Sequence, residues 1–253
     1  MASSSDSLNL IMPAGWTDLS QAQLKFVFSL LCLRIPPDEA KMLALMRLAR
    51  VKVVCRHGAD RYLIQVGKRE AAVRPAQFAE LLSLLDWLVD IPPFPVRLEV
   101  IRRHKARPAD FSEVPFGVFL ICENLYQGFL RLKDFNLVDQ MAFHLYPGLR
   151  ASLKDFERAS VIYWFAALKG FFARRFPDFF VPADVSAPAD NLLEPRFASA
   201  DALQQNVDAM IRALTKGDVS KEALILDLDC IRALTELNAQ ARDFAALKAA
   251  SKS

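Results

Sequence analysis

Apolar residues along this chain recur mostly with a helical period, and the exceptions are confined to one stretch in the first half. Ser20 and Gln23 stand at capping-box spacing, where each side chain can satisfy the other's backbone amide. Leu19 and Leu24 occupy the hydrophobic-staple positions around them, so a helix is predicted through Phe26 and Leu30 to about Leu33. Pro36-Pro37-Asp38-Glu39 ends that helix and starts a second one, which runs to about Arg50. Acids in its first turn and Arg47 and Arg50 in its last complement the helix dipole.

From Val51 the period shortens to two. Val51, Val53 and Cys55 alternate with Lys52, Val54 and Arg56, and two further short runs follow the turns His57-Gly58-Ala59-Asp60 and Gly67-Lys68. This pattern predicts a small antiparallel β-meander over about residues 51–73, which is too small to stand without helices against it. Pro75 then opens a helix whose stripe is Phe78, Leu81, Leu82, Leu85, Leu88 and Val89. Ile91-Pro92-Pro93-Phe94-Pro95 ends it, Val96, Leu98 and Val100 alternate as a fourth short strand, and 102–108 reads as a basic loop.

Beyond Pro115 the pattern is helical throughout. Helices are predicted over about 116–132, 137–146 and 153–176, and Ala166, Ala167, Gly170 and Ala173 on the last would admit a close neighbour. A stretch rich in Pro, Ala and Asp follows, then two amphipathic helices joined at Lys216-Gly217-Asp218. The second of these carries Leu224, Leu228, Ile231, Leu234, Leu237 or Asn238, Ala241, Phe244 and Leu247 as one apolar stripe.

The expected fold is therefore mainly α: a multi-helix core, a small antiparallel β-meander and a C-terminal helical hairpin. Its organisation reads as helices plus meander over 8–110, a helical core over 111–180, a Pro-rich linker over 181–200, and the hairpin over 201–250. The first seven residues read as a disordered tail.

Composition narrows the function classes. Hydrophobic residues make up 53% of the chain and charged residues 24%, which is enough apolar material for a packed core and unlike a disordered chain. A net charge of +3 is too mild to imply nucleic acid by itself. Cys32, Cys55, Cys122 and Cys230 form no Cys-x-x-Cys pair, which argues against a zinc ribbon or thioredoxin motif and fits a reduced, cytoplasmic setting. The N-terminus has no basic segment followed by an apolar one, so no signal peptide is expected. The greasiest run, 161–176, is interrupted by Lys169, Arg174 and Arg175 before reaching the ~20 apolar residues of a membrane span.

Candidate chemistry is sparse. Leu224-Ile225-Leu226-Asp227-Leu228-Asp229 is similar to the nucleophile strand of haloacid-dehalogenase-type phosphatases, in which paired carboxylates work around magnesium. Here the periodicity around it is helical and no strand–helix alternation surrounds it, so solvated helix faces are the expectation. His57, His104 and His144 lack metal-site spacing, and no glycine loop or G-x-S-x-G elbow is present, so no cofactor is expected. Glu123, Asn124 and Gln127 interrupt a greasy helix; a buried carboxylate there could serve as an acid or base, or simply close a polar seam.

Basic residues collect on the meander, with Arg56, Arg61 and Arg69 as candidates, and at Arg102, Arg103, Lys105 and Arg107. Both sets could meet a phosphate backbone, although the aromatics of an RNA-recognition sheet are missing. The C-terminal stripe is the stronger feature. Leu224, Leu228, Ile231, Leu234 and Phe244 are the candidate residues for holding a partner helix, against the alternative that they complete the chain's own core.

Several phrases resemble an uncharacterised group of phage- and prophage-encoded helical proteins. They are Trp16-Thr17-Asp18-Leu19-Ser20-Gln21-Ala22-Gln23-Leu24, Val114-Pro115-Phe116-Gly117 with Glu123-Asn124-Leu125-Tyr126, and Ile211-Arg212-Ala213-Leu214-Thr215-Lys216-Gly217-Asp218-Val219 followed by Arg232-Ala233-Leu234-Thr235-Glu236-Leu237-Asn238. The resemblance spans most of the chain and implies a tail- or virion-assembly product with no enzymatic residues to carry over. The expected function is thus a non-enzymatic assembly protein, acting in the host cytoplasm or on the virion and binding a helical protein partner. The alternative is a nucleic-acid-associated module.

Overall fold

The polypeptide is described by a computed structural model over residues 10–56, 61–180 and 200–251. The expected tail (1–7), the turn at His57 to Asp60 and, but for its last residue, the linker expected over 181–200 lie outside the described residues. The fold is mainly α with a small antiparallel sheet, and it divides into two compact units, Met1–Pro92 and Pro93–Ser253. No helix among the described residues is long and apolar enough to cross a membrane.

In the first unit, α1 (Gln21–Leu31) begins at the expected capping box: Gln23 N donates to Ser20 Oγ, and Ser20 N donates to Gln23 Oε1. α2 (Pro37–Leu48) starts at its proline and carries Asp38 and Glu39 in the first turn. Trp16, just ahead of α1, stacks on Phe28 and meets Trp87 edge-on, while its indole N–H donates to the Trp87 carbonyl at 3.0 Å. The sheet pairs β1 (Val51–Arg56) with β2 (Tyr62–Val66) and β2 with β3 (Arg69–Val73), both antiparallel, with a bulge between Val53 and Cys55. α3 (Pro75–Ser83) is shorter than its stripe suggests. It gives way to a 3-10 turn at Asp86–Leu88, and the deeply buried leucines are Leu85 and Leu88 rather than residues of α3 itself. Lys41 holds that turn to α2 through Asp86 at 2.5 Å.

The second unit begins at Pro93, earlier than the expected boundary after 110. The reason is a set of hydrogen bonds that commit this segment to the helices beyond it. Leu98 N donates to Ser160 Oγ, Tyr146 Oη donates to the Leu98 carbonyl at 2.7 Å, and Trp164 Nε1 donates to the Ala109 carbonyl at 2.8 Å. Of the expected fourth strand only β4 (Val100–Ile101) forms, and it pairs with β5 (His104–Lys105). The expected basic loop is thus the tip and second strand of a tight hairpin.

Next come α4 (Phe116–Leu132), α5 (Phe135–Leu145) and α6 (Asp155–Arg175). Phe111, fully buried in a left-handed conformation (φ 62°), sits among Phe119, Trp164, Phe165 and Phe172 with ring centroids 6.1 to 6.4 Å away. Such tilted and edge-to-face pairs suit the aromatic quadrupole and explain why so much phenylalanine is inside. α7 (Ala200–Thr215) turns at Lys216 and Gly217, both with positive φ. α8 (Glu222–Leu226) and α9 (Cys230–Ala250) follow. The single stripe-bearing helix expected from 224 onward is therefore two helices, broken at Asp227 to Asp229.

One buried ion pair clamps α5 to the start of α6. Asp139 accepts a two-pronged bond from Arg158, at 2.9 and 2.8 Å, together with bonds from Ser152 Oγ and Leu153 N. Burial alone would raise the Asp139 pKa, but the bonds from Arg158, Ser152 and Leu153 outweigh it and hold the carboxyl below its ordinary value. A depressed carboxyl pKa stabilises the fold fully at pH values above the unfolded pKa of about 3.9, and that stabilisation disappears as pH falls through the lower folded value. Asp139→Ala leaves Arg158 without its partner and is expected to cost roughly 2–4 kcal/mol in urea denaturation at neutral pH. Because wild type loses the contribution in acid and the variant has none to lose, the gap between them should narrow below about pH 4.

Candidate partner-binding groove

The break at Asp227 to Asp229 decides what surrounds it. Asp229 Oδ1 accepts Arg232 N and so caps α9, while Oδ2 accepts Glu113 N at 2.8 Å. Two backbone bonds flank this carboxylate: Phe116 N donates to the Leu228 carbonyl, and Cys230 N donates to the Val114 carbonyl, both at 2.8 Å. The starts of α4 and α9 are thereby joined. α8 lies so close to α4 that a Cβ at Gly117 would stand 3.1 Å from the Leu226 carbonyl oxygen. Asp229 is thus a joint between chain segments rather than the solvated helix-face residue expected, and Asp227, at the exposed C-cap of α8, takes no part in it.

The five candidate stripe residues separate accordingly. Leu234 is completely buried, beside Cys230, Ala233 and Leu237, and belongs to the core of the second unit. Leu228 and Ile231 are half-buried. Only Leu224 (72% exposed) and Phe244 (69%) are open, and they lie on different helices. Asn238 fastens the middle of α9 to the end of α6 by accepting from Asp178 N and Phe179 N and donating to Asp178 Oδ2. The hairpin is therefore a built-in part of its unit up to about Ala241, and residues 242–250 are exposed.

Where α4, α7 and α9 meet, a groove of about 810 Å³ remains. Phe119, Leu237, Val207 and Met210 supply apolar surface, Phe179 and Phe180 form an edge-to-face pair at 4.9 Å, and Phe244 and Ala241 contribute from α9. Ala209 and Ala213 on α7 keep that wall shallow, and the polar lining consists of Glu123, Asn124, Asn206 and Gln240. Of the five candidate partner-binding residues only Phe244 belongs to this lining. Phe179 and Phe180 are hard to foresee because they follow the end of a helix, but Val207, Met210 and Ala213 recur at three-residue intervals on α7, a spacing that marks an apolar helix face.

Glu123, on the groove wall, is the seam expected from the sequence. Its Oε1 accepts Gln127 Nε2 at 2.8 Å and Lys169 Nζ at 2.5 Å, and Lys169 also lies over the Tyr126 ring. Burial, and after it the Glu123 charge, push the Tyr126 phenol pKa upward. The other carboxylate oxygen of Glu123 and the Tyr126 hydroxyl are buried without a hydrogen-bond partner among the described residues. Burial likewise pushes up the pKa of the Cys122 and Cys230 thiols.

The basic candidates divide between the two units. On the sheet, Arg56 pairs with Tyr62 at one end and Arg69 with Val66 at the other, while Lys52 shares its row with Gln65 and the acidic Glu70 on the opposite face. Arg61 precedes β2. In the second unit Arg102 lies 3.8 Å from Glu157, Arg107 Nε donates to the His144 carbonyl, and Arg103 and Lys105 are exposed.

The joint at Asp229 has a measurable signature. Asp229→Ala is expected to lower stability by about 1–2 kcal/mol in chemical denaturation, and Asp229→Asn, which can still cap, by less. Asp227→Ala should stay within about 0.5 kcal/mol of wild type. Comparison with protein-family models, curated proteins and solved structures found no match to this chain, so the functional reading stands on the geometry of the groove and the sequence resemblance.

Proposed function

We propose that this is a non-enzymatic assembly protein of phage or prophage type that holds an amphipathic helix of a protein partner in the groove between α4, α7 and α9. The observation that carries the reading is the groove itself, with an exposed phenylalanine, Phe244, on its edge. An α-helix suits it for two reasons. Ala209, Ala213 and Ala241 let a helix backbone approach closely, as small residues do wherever helices pack tightly. The amides of Asn124, Asn206 and Gln240 provide polar lining without a net charge that would demand an opposite one. The resemblance to phage- and prophage-encoded proteins supplies the setting, in which a helical tail or virion component would be the partner.

The test is a comparison of wild type with Phe244→Glu in induced host cells. Phe244 is exposed, so the variant should match wild-type stability to within about 0.5 kcal/mol. Wild type is expected to capture a partner whose isolated docking segment gains helicity by circular dichroism on mixing, and Phe244→Glu is expected to bind that segment at least about tenfold more weakly. Equal binding by both proteins, or a bound segment that stays non-helical, would overturn the reading.

A further inference from the structure

The hairpin formed by β4 and β5 has a costly tip. Arg102 (φ 46°) and Arg103 (φ 73°) both take left-handed backbone conformations, which a two-residue hairpin turn requires and which Asn-Gly meets without strain. Two consecutive arginines there are a poor choice for stability, and strain of this kind is retained where a side chain is needed in place. The tip is also firmly built. Val100 pairs with Lys105 and Ile101 with His104, Ala106 N donates to the Glu99 carbonyl, and Ile101 is buried.

The base of the hairpin is fixed to the end of α5. Arg107 N donates to the Leu145 carbonyl, Arg107 Nε to the His144 carbonyl at 2.8 Å, and His104 Nδ1 hydrogen-bonds the Pro147 carbonyl. A side chain at Gly148 would be crowded, because a Cβ there would stand 3.1 Å from His104 Nδ1, and its φ of 86° favours glycine. Arg150 follows two residues later with its guanidinium over the Phe143 ring. Burial lowers the His144 pKa, and the charges of Arg150 and Arg107 lower it further, as expected where cations gather around one imidazole. Among the described residues none of Arg103, Lys105, Arg107 and Arg150 forms an ion pair, and Glu157, the acid that meets the tip, is buried and engaged by Arg102 and Lys154 N.

We propose that the hairpin tip and the adjoining corner at the end of α5 form a phosphate-binding platform for the backbone of double-stranded nucleic acid. Unpaired cations on a rigid frame are what a phosphate backbone rewards, through release of condensed counterions. The duplex is favoured over a single strand because the nearby Phe143 ring is covered by Arg150 and offers no stacking surface for bases. A lipid surface would call for several exposed apolar side chains to insert, and the hairpin exposes one, Val100. The platform uses no residue of the groove and none of the β1–β3 sheet, whose arginines are dispersed.

The experiment measures fluorescence anisotropy of the full chain with a labelled duplex of mixed sequence, long enough for about two helical turns, over a range of salt concentrations. Wild type is expected to bind at low salt and to weaken steeply as salt rises. Replacing Arg103, Lys105 and Arg150 with alanine together should weaken binding at least about tenfold and lower the salt slope by about 3, one per lost phosphate contact. Arg56→Ala with Arg69→Ala should bind within about twofold of wild type. Arg103→Gly separates display from folding: it removes a charge and relieves the turn, so it should raise the melting temperature while weakening duplex binding. Failure of wild type to bind duplex at low salt would overturn the proposal. So would unchanged binding by the triple variant, a preference for poly-aspartate or phosphatidylserine vesicles over duplex, or loss of binding that follows loss of melting temperature in Arg103→Gly.

Discussion

The joint at Asp229 ties the start of α9 to the segment leading into α4. Asp229 caps α9 through Arg232 N and reaches Glu113 N on the segment leading into α4, while the bonds from Phe116 N to Leu228 and from Cys230 N to Val114 pair the two backbones on either side. A helix start leaves several amides without partners, and two starts brought together would leave twice as many. Here each segment satisfies part of the other's need. The consequence is geometric: α8 is pulled against Gly117, α9 takes its direction from α4, and the space left between α4, α7 and α9 becomes the groove.

Several other polar contacts in the unit hold the end of one segment to a neighbouring element. Asn238 anchors the end of α6, Asp139 and Arg158 join α5 to the start of α6, and Leu98 and Ala109 are held by Tyr146, Ser160 and Trp164. Between these ties the packing is largely aromatic and centred on Phe111, whose left-handed backbone places its ring among four others. Aromatic packing fills volume but is tolerant of small rotations, whereas charge-assisted bonds are short and directional. The combination gives a core whose interior is apolar and whose segment ends are fixed.

Features that depend on near neighbours in the chain are legible in the order of residues alone. The capping box at Ser20, the prolines that open α2 and α3, the alternation of the small sheet and the glycine turn at Gly217 all arise from interactions spanning a few residues. Expectation and fold part company where distant partners decide. The apolar pattern runs through Asp227 to Asp229 without a visible stop, because the break exists only when the Leu228 carbonyl is taken by Phe116, more than a hundred residues earlier. The segment before Ala109 resembles the end of the first unit because its hydrogen-bond partners, Tyr146, Ser160 and Trp164, lie far along the chain.

The same division applies to the candidate sites. Amphipathic periodicity establishes that the C-terminal residues have an apolar face, but not what covers it. Leu234 turns inward and Phe244 outward although both satisfy the same spacing, since α9 rests on its unit for only part of its length. The basic residues can be counted along the chain, yet strand register and hairpin geometry determine which of them share a surface. By itself the sequence determined the mainly α class, the small meander and most of the helix starts, because helix and strand formation answer to local backbone and side-chain preferences. Only the tertiary structure decided which apolar faces remain open and which charges stand together, because burial and proximity are properties of segments brought close by the fold and carry no signature in the order of residues along one of them.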